Sequence, residues 1–369
     1  MRGGARFDPI ELERVREVNP VSEVLMRLGV NLKKRGREWV GLSPFKAERT
    51  PSFTVNDQKG MFFDFASGTN GDVFDAVMLL KGIEFRDAVE WLGGAQPVSD
   101  EERSAIRQRR RELDEAERTE AEKVRAKAKR VFDGASRVEG THAAAYLEAR
   151  GLIADPSWTF DLRFARLPYF GFRSHDQDEP EKMGEFPVML AAIRDARHDL
   201  IGLHRTYLDP DEPKKLTLVD KKLNAAKKVY GEAGGGMIWL SEPSARLAIG
   251  EGIETVRSWF CLGIDADDIS IATSVSLGNL SGAPTGYIPH PKNKAQHIPN
   301  GAPDMDRPGI ILPADVLEVV LIGDGDSDPA TTRQHLVVAG RRFSAQGRSV
   351  TVSMAPQGAD FNDLLMDRK

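Results

Sequence analysis

The chain is poor in the residues that staple small folds. Among 369 residues it has one cysteine, Cys261 in "SWFCLG", and seven histidines. A single thiol excludes an internal disulfide framework and a cysteine zinc site. The apolar setting of Cys261 makes it an expected core residue. No apolar run approaches the ~20 residues that cross a bilayer. The opening "MRGGARFDPIELERVREV" also lacks the apolar core of a signal peptide. A cytoplasmic protein with no membrane partner is the expectation. Excess positive charge is missing as well. The net charge is −5, so only local clusters can argue for nucleic acid. No Gly-x4-Gly-Lys-Ser/Thr loop occurs, which argues against a fused P-loop ATPase.

What is present is ordinary globular material, 40% hydrophobic and 29% charged, in a length that suits two or three domains. Residues 8–28 carry helical patterning through Val15, Val18, Val21, Leu25 and Leu28. "GVNLKKRGREWVGLSP" alternates like a strand pair turning at Arg35-Gly36. Then "SPFKAERTPSFTVNDQKGMFFDFASGTNGD", Ser43 to Asp72, sets short β-prone pieces among Pro, Gly and small polar residues. Units this short usually need a staple, often zinc, yet this one has neither Cys nor His. "GDVFDAVMLLKG" and "EFRDAVEWLGG" read as helices stopped at Gly82 and Gly93-Gly94. These pieces make a first domain of residues 1–97.

Residues 98–140 read as a charged linker in which residues 99–131, without Gly or Pro, form one solvated helix. Its "RQRRR" is a wet helix face or a nucleic-acid contact. Residues 141–244 open with a helix, "THAAAYLEARGL", and contain a hairpin formed by "FPVMLAAIRD" and "LIGLHRTYLD" around "ARHDL". Residues 245–369 run strand, helix, strand, long Pro/Gly-rich loop, strand, helix, strand, the order of a parallel α/β sheet. The expected class is therefore multidomain, α+β followed by α/β.

The chemistry lies in this last part. In "RLAIGEGIETVRSW" an apolar strand ends at Glu251, and in "VLEVVLIGDGDSDP" another ends at Asp324, Asp326 and Asp328. Ligands of parallel sheets bind outside the carboxyl ends of the strands, so adjacent strands would bring these acids together. Clustered carboxylates repel unless a cation lies between them. All-oxygen donors suit Mg²⁺ or Mn²⁺, and such ions drive phosphoryl transfer. Taken singly, "DGDSD" is equally a turn and Glu251 equally a helix cap.

"LAIGEGIET", "LIGDGDSDP" and "DFNDLL" together resemble the Toprim domain of bacterial, phage and plasmid DNA primases, which also occurs in topoisomerases and some nucleases. The resemblance covers roughly residues 140–369. It implies Glu251 as the acid/base residue and Asp324 and Asp326 as catalytic metal holders. Glu251 would share the metal, with Asp328 as an added ligand or outer support. The insert "PTGYIPHPKNKAQHIPNGAPDMDRPG" departs from the pattern and reads as lid, partner contact or solvated decoration alike.

Ser43–Asp72 resembles the CHC2 zinc ribbon of DnaG-type primases. Its four ligand positions are occupied by Ser43, Lys46, Asp64 and Ser67. No zinc is expected there, because Ser and Lys do not make a closed zinc site. An ion pair between Lys46 and Asp64, with Ser43 and Ser67 hydrogen-bonding nearby, is the expected substitute. Trp39, Phe45, Phe53, Phe62, Phe63 and Phe65 are expected to supply most of the stability.

Two basic clusters are candidates for nucleic acid or nucleotide. The first holds Lys33, Lys34, Arg35, Arg37, Trp39, Lys46 and Arg49; the second holds Arg205, Lys214, Lys215, Lys221, Lys222, Lys227 and Lys228. Each reads alternatively as a solvated rim.

A zinc-ribbon-like unit, a spacer helix and a Toprim domain, in that order, imply a phage- or plasmid-type DNA primase. Such an enzyme makes short RNA primers from ribonucleoside triphosphates on single-stranded DNA. A replicative helicase is a further partner the resemblance implies. Little chain follows Asp363, so that contact is expected either on another surface than the helicase-binding tail of DnaG-type primases or not at all. A Toprim metal nuclease and a non-catalytic single-strand-binding relic are the alternatives.

Overall fold

The structure is a computed structural model. It describes residues 7–36, 38–45, 51–64, 69–174, 177, 179–218, 224–264, 268–293, 296–326 and 328–368. It divides into two compact units, residues 1–120 and 121–369.

The first unit opens with α1 (Pro9–Val18). Asp8 caps it by accepting from the Ile10 N–H, with Pro9 in the first turn. Sequence patterning suggests one helical stretch over residues 8–28. The structure breaks it at Asn19-Pro20, and α2 (Val21–Arg27) follows, because proline cannot continue the ladder of α1. An antiparallel sheet then forms in chain order from β1 (Leu32–Arg35), β2 (Glu38–Gly41), β3 (Phe53–Asn56), β4 (Met61–Asp64) and β5 (Asn70–Gly71). Arg35 faces Glu38 across the expected first turn. Next come α3 (Val73–Lys81), α4 (Phe85–Trp91) and the long α5 (Asp100–Asp133). Asp72 and Asp75 cap α3 reciprocally, and Gly82 ends it at φ 64°.

The core of this unit is aromatic. Phe45, Phe53 and Phe62 are buried, with ring centroids 5.4–6.1 Å apart. They pack with Val24, Leu25, Val77 and Val89. Phe63 points outward, and Phe65 lies outside the described residues.

Beside the ring cluster, Asp64 is wholly buried. Ser43 Oγ donates to its Oδ2 at 2.6 Å and Ser52 Oγ to its Oδ1 at 3.3 Å. A buried carboxylate needs such donors, and two serines supply them where a ribbon would hold metal. The expected pairing of Lys46 with Asp64, and the bond expected from Ser67, lie outside the described residues. Elemental analysis of the purified protein should find zinc far below one equivalent; one equivalent held by this unit would refute the loss of the site.

α5 is a single helix, as its charge pattern predicts, but it is not solvated throughout. Its last turns bury Ala128 and Phe132 against Ala192 and Leu203. In the second unit α6 (His142–Glu148) follows, capped by Thr141. An antiparallel sheet comes next: β6 (Leu162–Gly171), β7 (Glu181–Arg194), β8 (Leu200–Tyr207) and β9 (Lys227–Gly231). β7 and β8 are the expected hairpin.

The second sheet contains β10 (Ile238–Trp239), β11 (Arg246–Gly250), β12 (Ile269–Thr273), β15 (Glu318–Gly323) and β16 (Ser349–Met354), in the order β10-β12-β11-β15-β16. All neighbours from β12 to β16 are parallel, and β10 is antiparallel. α7 (Ile253–Cys261), α8 (Leu277–Ser281), α9 (Pro329–Ala345) and α10 (Phe361–Met366) complete the unit. One core joins Tyr146, Met189 and Ile193 to Ala248, Ile271 and Ile322, so residues on both sides of position 244 share it.

Cys261 is exposed, not buried as its apolar neighbours suggest. It is the last residue of α7, beyond the stretch that ends at buried Trp259. The insert carries a hairpin, β13 (Tyr287–Pro289) with β14 (His297–Pro299). The buried Arg342 guanidinium holds the ends of this segment by donating to the carbonyls of Ser281, Ala283 and Asp304 at 2.8–3.0 Å.

Candidate active site

β11 and β15 are adjacent and parallel, with Ile249 opposite Leu321. Glu251 and Asp324, each the first residue beyond its strand, therefore emerge at the same carboxyl edge. Gly325 brings in a further acid. A Cβ there would lie 2.2 Å from the Pro356 carbonyl oxygen. Only glycine permits the bonds from Gly325 N to Ala359 O (3.0 Å) and from Gly358 N to Gly325 O (2.7 Å). This stitch seats Asp360, the N-cap of α10, where its charge acts on Asp324.

Glu251, Asp324, Asp326 and Asp360 thus line one crevice. Burial, opposed by a 3.0 Å bond from Thr255 Oγ1, pushes the Asp324 carboxyl up to about 6; Asp360, Asp326 and Glu251 push in the same direction. Asp324 Oδ1 is buried and has no hydrogen-bond partner among the described residues. Burial also raises the Glu251 carboxyl, with Lys227 pulling it down and Asp326 pushing it up. Among the described residues no three His, Cys, Asp or Glu side chains are grouped closely enough to hold a metal as they stand. The orphaned oxygen, the all-oxygen donors and the mutual repulsion fit a hard divalent cation.

Asp328 is differently engaged. It caps α9, accepting from Thr331 Oγ1 at 2.6 Å, from the Thr331 N–H at 3.3 Å and from His290 Nε2 at 3.1 Å. Burial opposes ionisation there, but these bonds hold its carboxyl below the ordinary value.

The raised Asp324 carboxyl predicts an effect on the metal-free protein. The native state holds this proton more tightly than the unfolded chain. Stability should therefore fall as pH rises from about 4 through about 6, then level off. Asp324→Asn removes the cost. In EDTA at pH 7.5 it should stabilise by about 2 kcal/mol, and the gain should vanish near pH 4. Thermal melts across pH check this; a lower melting temperature for the variant at pH 7.5 would contradict it.

The basic candidates divide. Lys215 Nζ and Lys227 Nζ lie 2.9 Å and 3.5 Å from Glu254, which also accepts from the Tyr146 hydroxyl at 2.5 Å. Glu254 is buried. Burial opposes its ionisation, but Lys227 and Lys215, with the Tyr146 bond, hold its carboxyl far below the usual range. Arg205 and Lys228 face each other across β8 and β9. Lys228 sits 3.9 Å from the centroid of the Tyr169 ring, and Arg205 5.4 Å from that of Tyr230. Burial, with Arg205 adding repulsion, lowers Lys228 to about 8. Lys214 is exposed and pairs with Glu212 at 2.9 Å.

In the first unit Lys33 and Lys34 are exposed. Lys34 lies 5.9 Å from the Trp39 ring centroid, and Trp39 donates to Asp57 at 3.0 Å. Arg35 sits at the end of β1, opposite Glu38. Arg37, Lys46, Arg49, Lys221 and Lys222 lie outside the described residues.

Sequence reasoning missed Glu254, Thr255 and Asp360. Glu254 stands among apolar neighbours in "GIETV" and Asp360 precedes a helix in "GADFNDLL". Both signals were visible, but only the sheet order gives them meaning.

Residues 8–106 match the family model of the CHC2 zinc finger. Residues 122–240 match a domain of unknown function, DUF7146. Similar curated sequences fall in one group. They are bacterial DNA primases. The DNA primase of Listeria monocytogenes is 30% identical over 44% of this chain and 26% of its own length. That of Geobacillus stearothermophilus is 30% identical over 44% and 27%, and that of Myxococcus xanthus 34% over 43% and 24%. The matched segments span about a quarter of these relatives. The zinc-binding and RNA polymerase domains of Aquifex aeolicus primase align with 97% of this chain and 82% of that one. Identity there is 17% and the TM-score 0.36, too loose to support a fold assignment. No described helix is long and apolar enough to cross a membrane.

Proposed function

We propose that this protein is a DNA primase of the Toprim class, making short RNA on a single-stranded DNA template. One observation carries the reading. The parallel sheet gathers Glu251, Asp324, Asp326 and Asp360 at its carboxyl edge and leaves Asp324 Oδ1 buried with no partner among the described residues. The match of residues 8–106 to the CHC2 zinc finger selects primase among metal-dependent phosphoryl-transfer enzymes.

Asp324 and Asp326, supported by Asp360, would hold Mg²⁺ or Mn²⁺. Such a cation supplies Lewis-acid stabilisation of charge on the attacking and leaving oxygens. The reaction joins a primer 3′-oxygen to the α-phosphorus of a ribonucleotide. The bond from the α-phosphorus to the bridging oxygen breaks, and its electron pair leaves with pyrophosphate. Glu251, with its raised carboxyl at the strand end, is suited to receive the 3′-hydroxyl proton. Thr255 orients Asp324 through its 3.0 Å bond. Arg205 and Lys228 present an aromatic-backed cationic strip suited to template phosphates. Lys34 with Trp39 offers a smaller site of the same kind.

The test incubates the full chain with single-stranded DNA, labelled ribonucleotides and Mg²⁺ or Mn²⁺. Short labelled RNA that depends on template supports the reading. Cleaved DNA would instead identify a Toprim nuclease, and DNA binding with neither product a non-catalytic relic.

A further inference from the structure

We propose that Glu254 is a positioning residue: from within the core it holds Lys227, with Lys215 behind it, at the acid crevice, where this pair receives the triphosphate tail of the incoming nucleotide. The inference rests on the nucleotidyl-transfer reading above.

Glu254 occupies the first turn of α7, three residues past Glu251, and is buried. Tyr146, Lys215 and Lys227 converge on it from α6, from the segment after β8, and from β9. Taking Glu254 and most of Lys215 out of water costs several kcal/mol each, so an apolar side chain at 254 would serve stability at least as well. What the carboxylate adds is control of the cations. Burial lowers Lys215, the neighbouring Lys227 charge lowers it further, and the Glu254 carboxylate works against both. Among the described residues neither lysine has another carboxylate at ion-pair distance.

The cluster keeps one net positive charge. His204 adds none, because burial lowers it to about 4, and its Nδ1 has no partner among the described residues. Lys227 is the outward member. Its side chain is 41% exposed, and its charge reaches Glu251 in the crevice. An ammonium there offsets the charge that develops on the departing pyrophosphate.

The experiment uses Glu254→Gln in the full chain. It measures binding of a non-hydrolysable nucleoside triphosphate with Mg²⁺, and KM and kcat for primer synthesis. KM and Kd should rise about 10-fold while kcat changes less than about 3-fold. A double-mutant cycle with Lys227→Ala should show coupling, Glu254→Gln adding less than about 2-fold in that background. Parallel loss of kcat with additive effects would mean a merely structural role and overturn the inference. So would unchanged binding in Glu254→Gln beside a wild type that binds, with the primase reading intact. A wild type that binds no nucleotide overturns both. Should Glu254→Gln fail to fold, Tyr146→Phe loosens the same carboxylate. It should raise KM about 3-fold, an effect lost on Lys227→Ala; no change in KM would refute the inference.

Discussion

Asp324→Asn and Asp326→Asn should each reduce primer synthesis at least ~10³-fold, which is about 4 kcal/mol of lost transition-state stabilisation. Asparagine keeps the size and one acceptor oxygen of each side chain, so the crevice should keep its shape. What it removes is the anion that draws a cation into the site. Asp324 should be the more sensitive of the two, because its Oδ1 is buried with no partner among the described residues while Asp326 reaches solvent. The same substitution is expected to stabilise the metal-free protein at neutral pH. Loss of activity with a higher melting temperature separates removal of a metal site from damage to the fold. Full activity in Asp324→Asn would end the assignment of this crevice as the reaction centre.

The second large effect concerns the first unit. Phe53→Ala should destabilise it by about 3–5 kcal/mol. Phe53 is fully buried and stacks on Phe62 with centroids 5.4 Å apart; Phe45 meets both rings. In a zinc ribbon the metal would share this load. Here Ser43 donates to Asp64 beside the rings, and if no zinc is bound, as the sequence leads one to expect, the rings carry the load. A domain of this size is typically stable by only about 5–15 kcal/mol, so the loss is a large fraction. Limited proteolysis of the full chain should show accelerated cleavage within residues 7–98 and little change beyond residue 121. Equal resistance of variant and wild type would show that the rings are not the main support.

How the acids meet shows what was legible in the sequence. Each strand-acid motif is local: an apolar run, a glycine, a carboxylate, then a helix start. Periodicity and turn residues report such things directly, and they placed Glu251, Asp324 and Asp326 at strand ends. The same local signals marked the β7–β8 hairpin and the stop at Gly82. The break at Pro20 was also written in the chain, although the apolar spacing on both sides masked it.

Roles that depend on partners far along the chain were not legible. Glu254 meets Tyr146, 108 residues away, and Thr255 meets Asp324, 69 residues away. Asp360 joins the crevice only through the stitch at Gly325. Asp328 looks like one more acid in a row, yet Thr331 and His290 claim it. The lysines at 215 and 227 belong to one basic run with Lys214, but Glu254 claims only the first two.

The sequence by itself determined the order of the parts: an aromatic β unit without Cys or His, a charged helix, and strands that end in carboxylates. Local spacing suffices for that, because secondary structure and turns are set within a few residues. The tertiary structure alone decided which carboxylates share a crevice and which oxygen stays unpartnered. It also decided which lysines are held by a buried glutamate. The order β12-β11-β15-β16 makes neighbours of segments some seventy residues apart. Burial then sets the charge state of each group that the fold encloses.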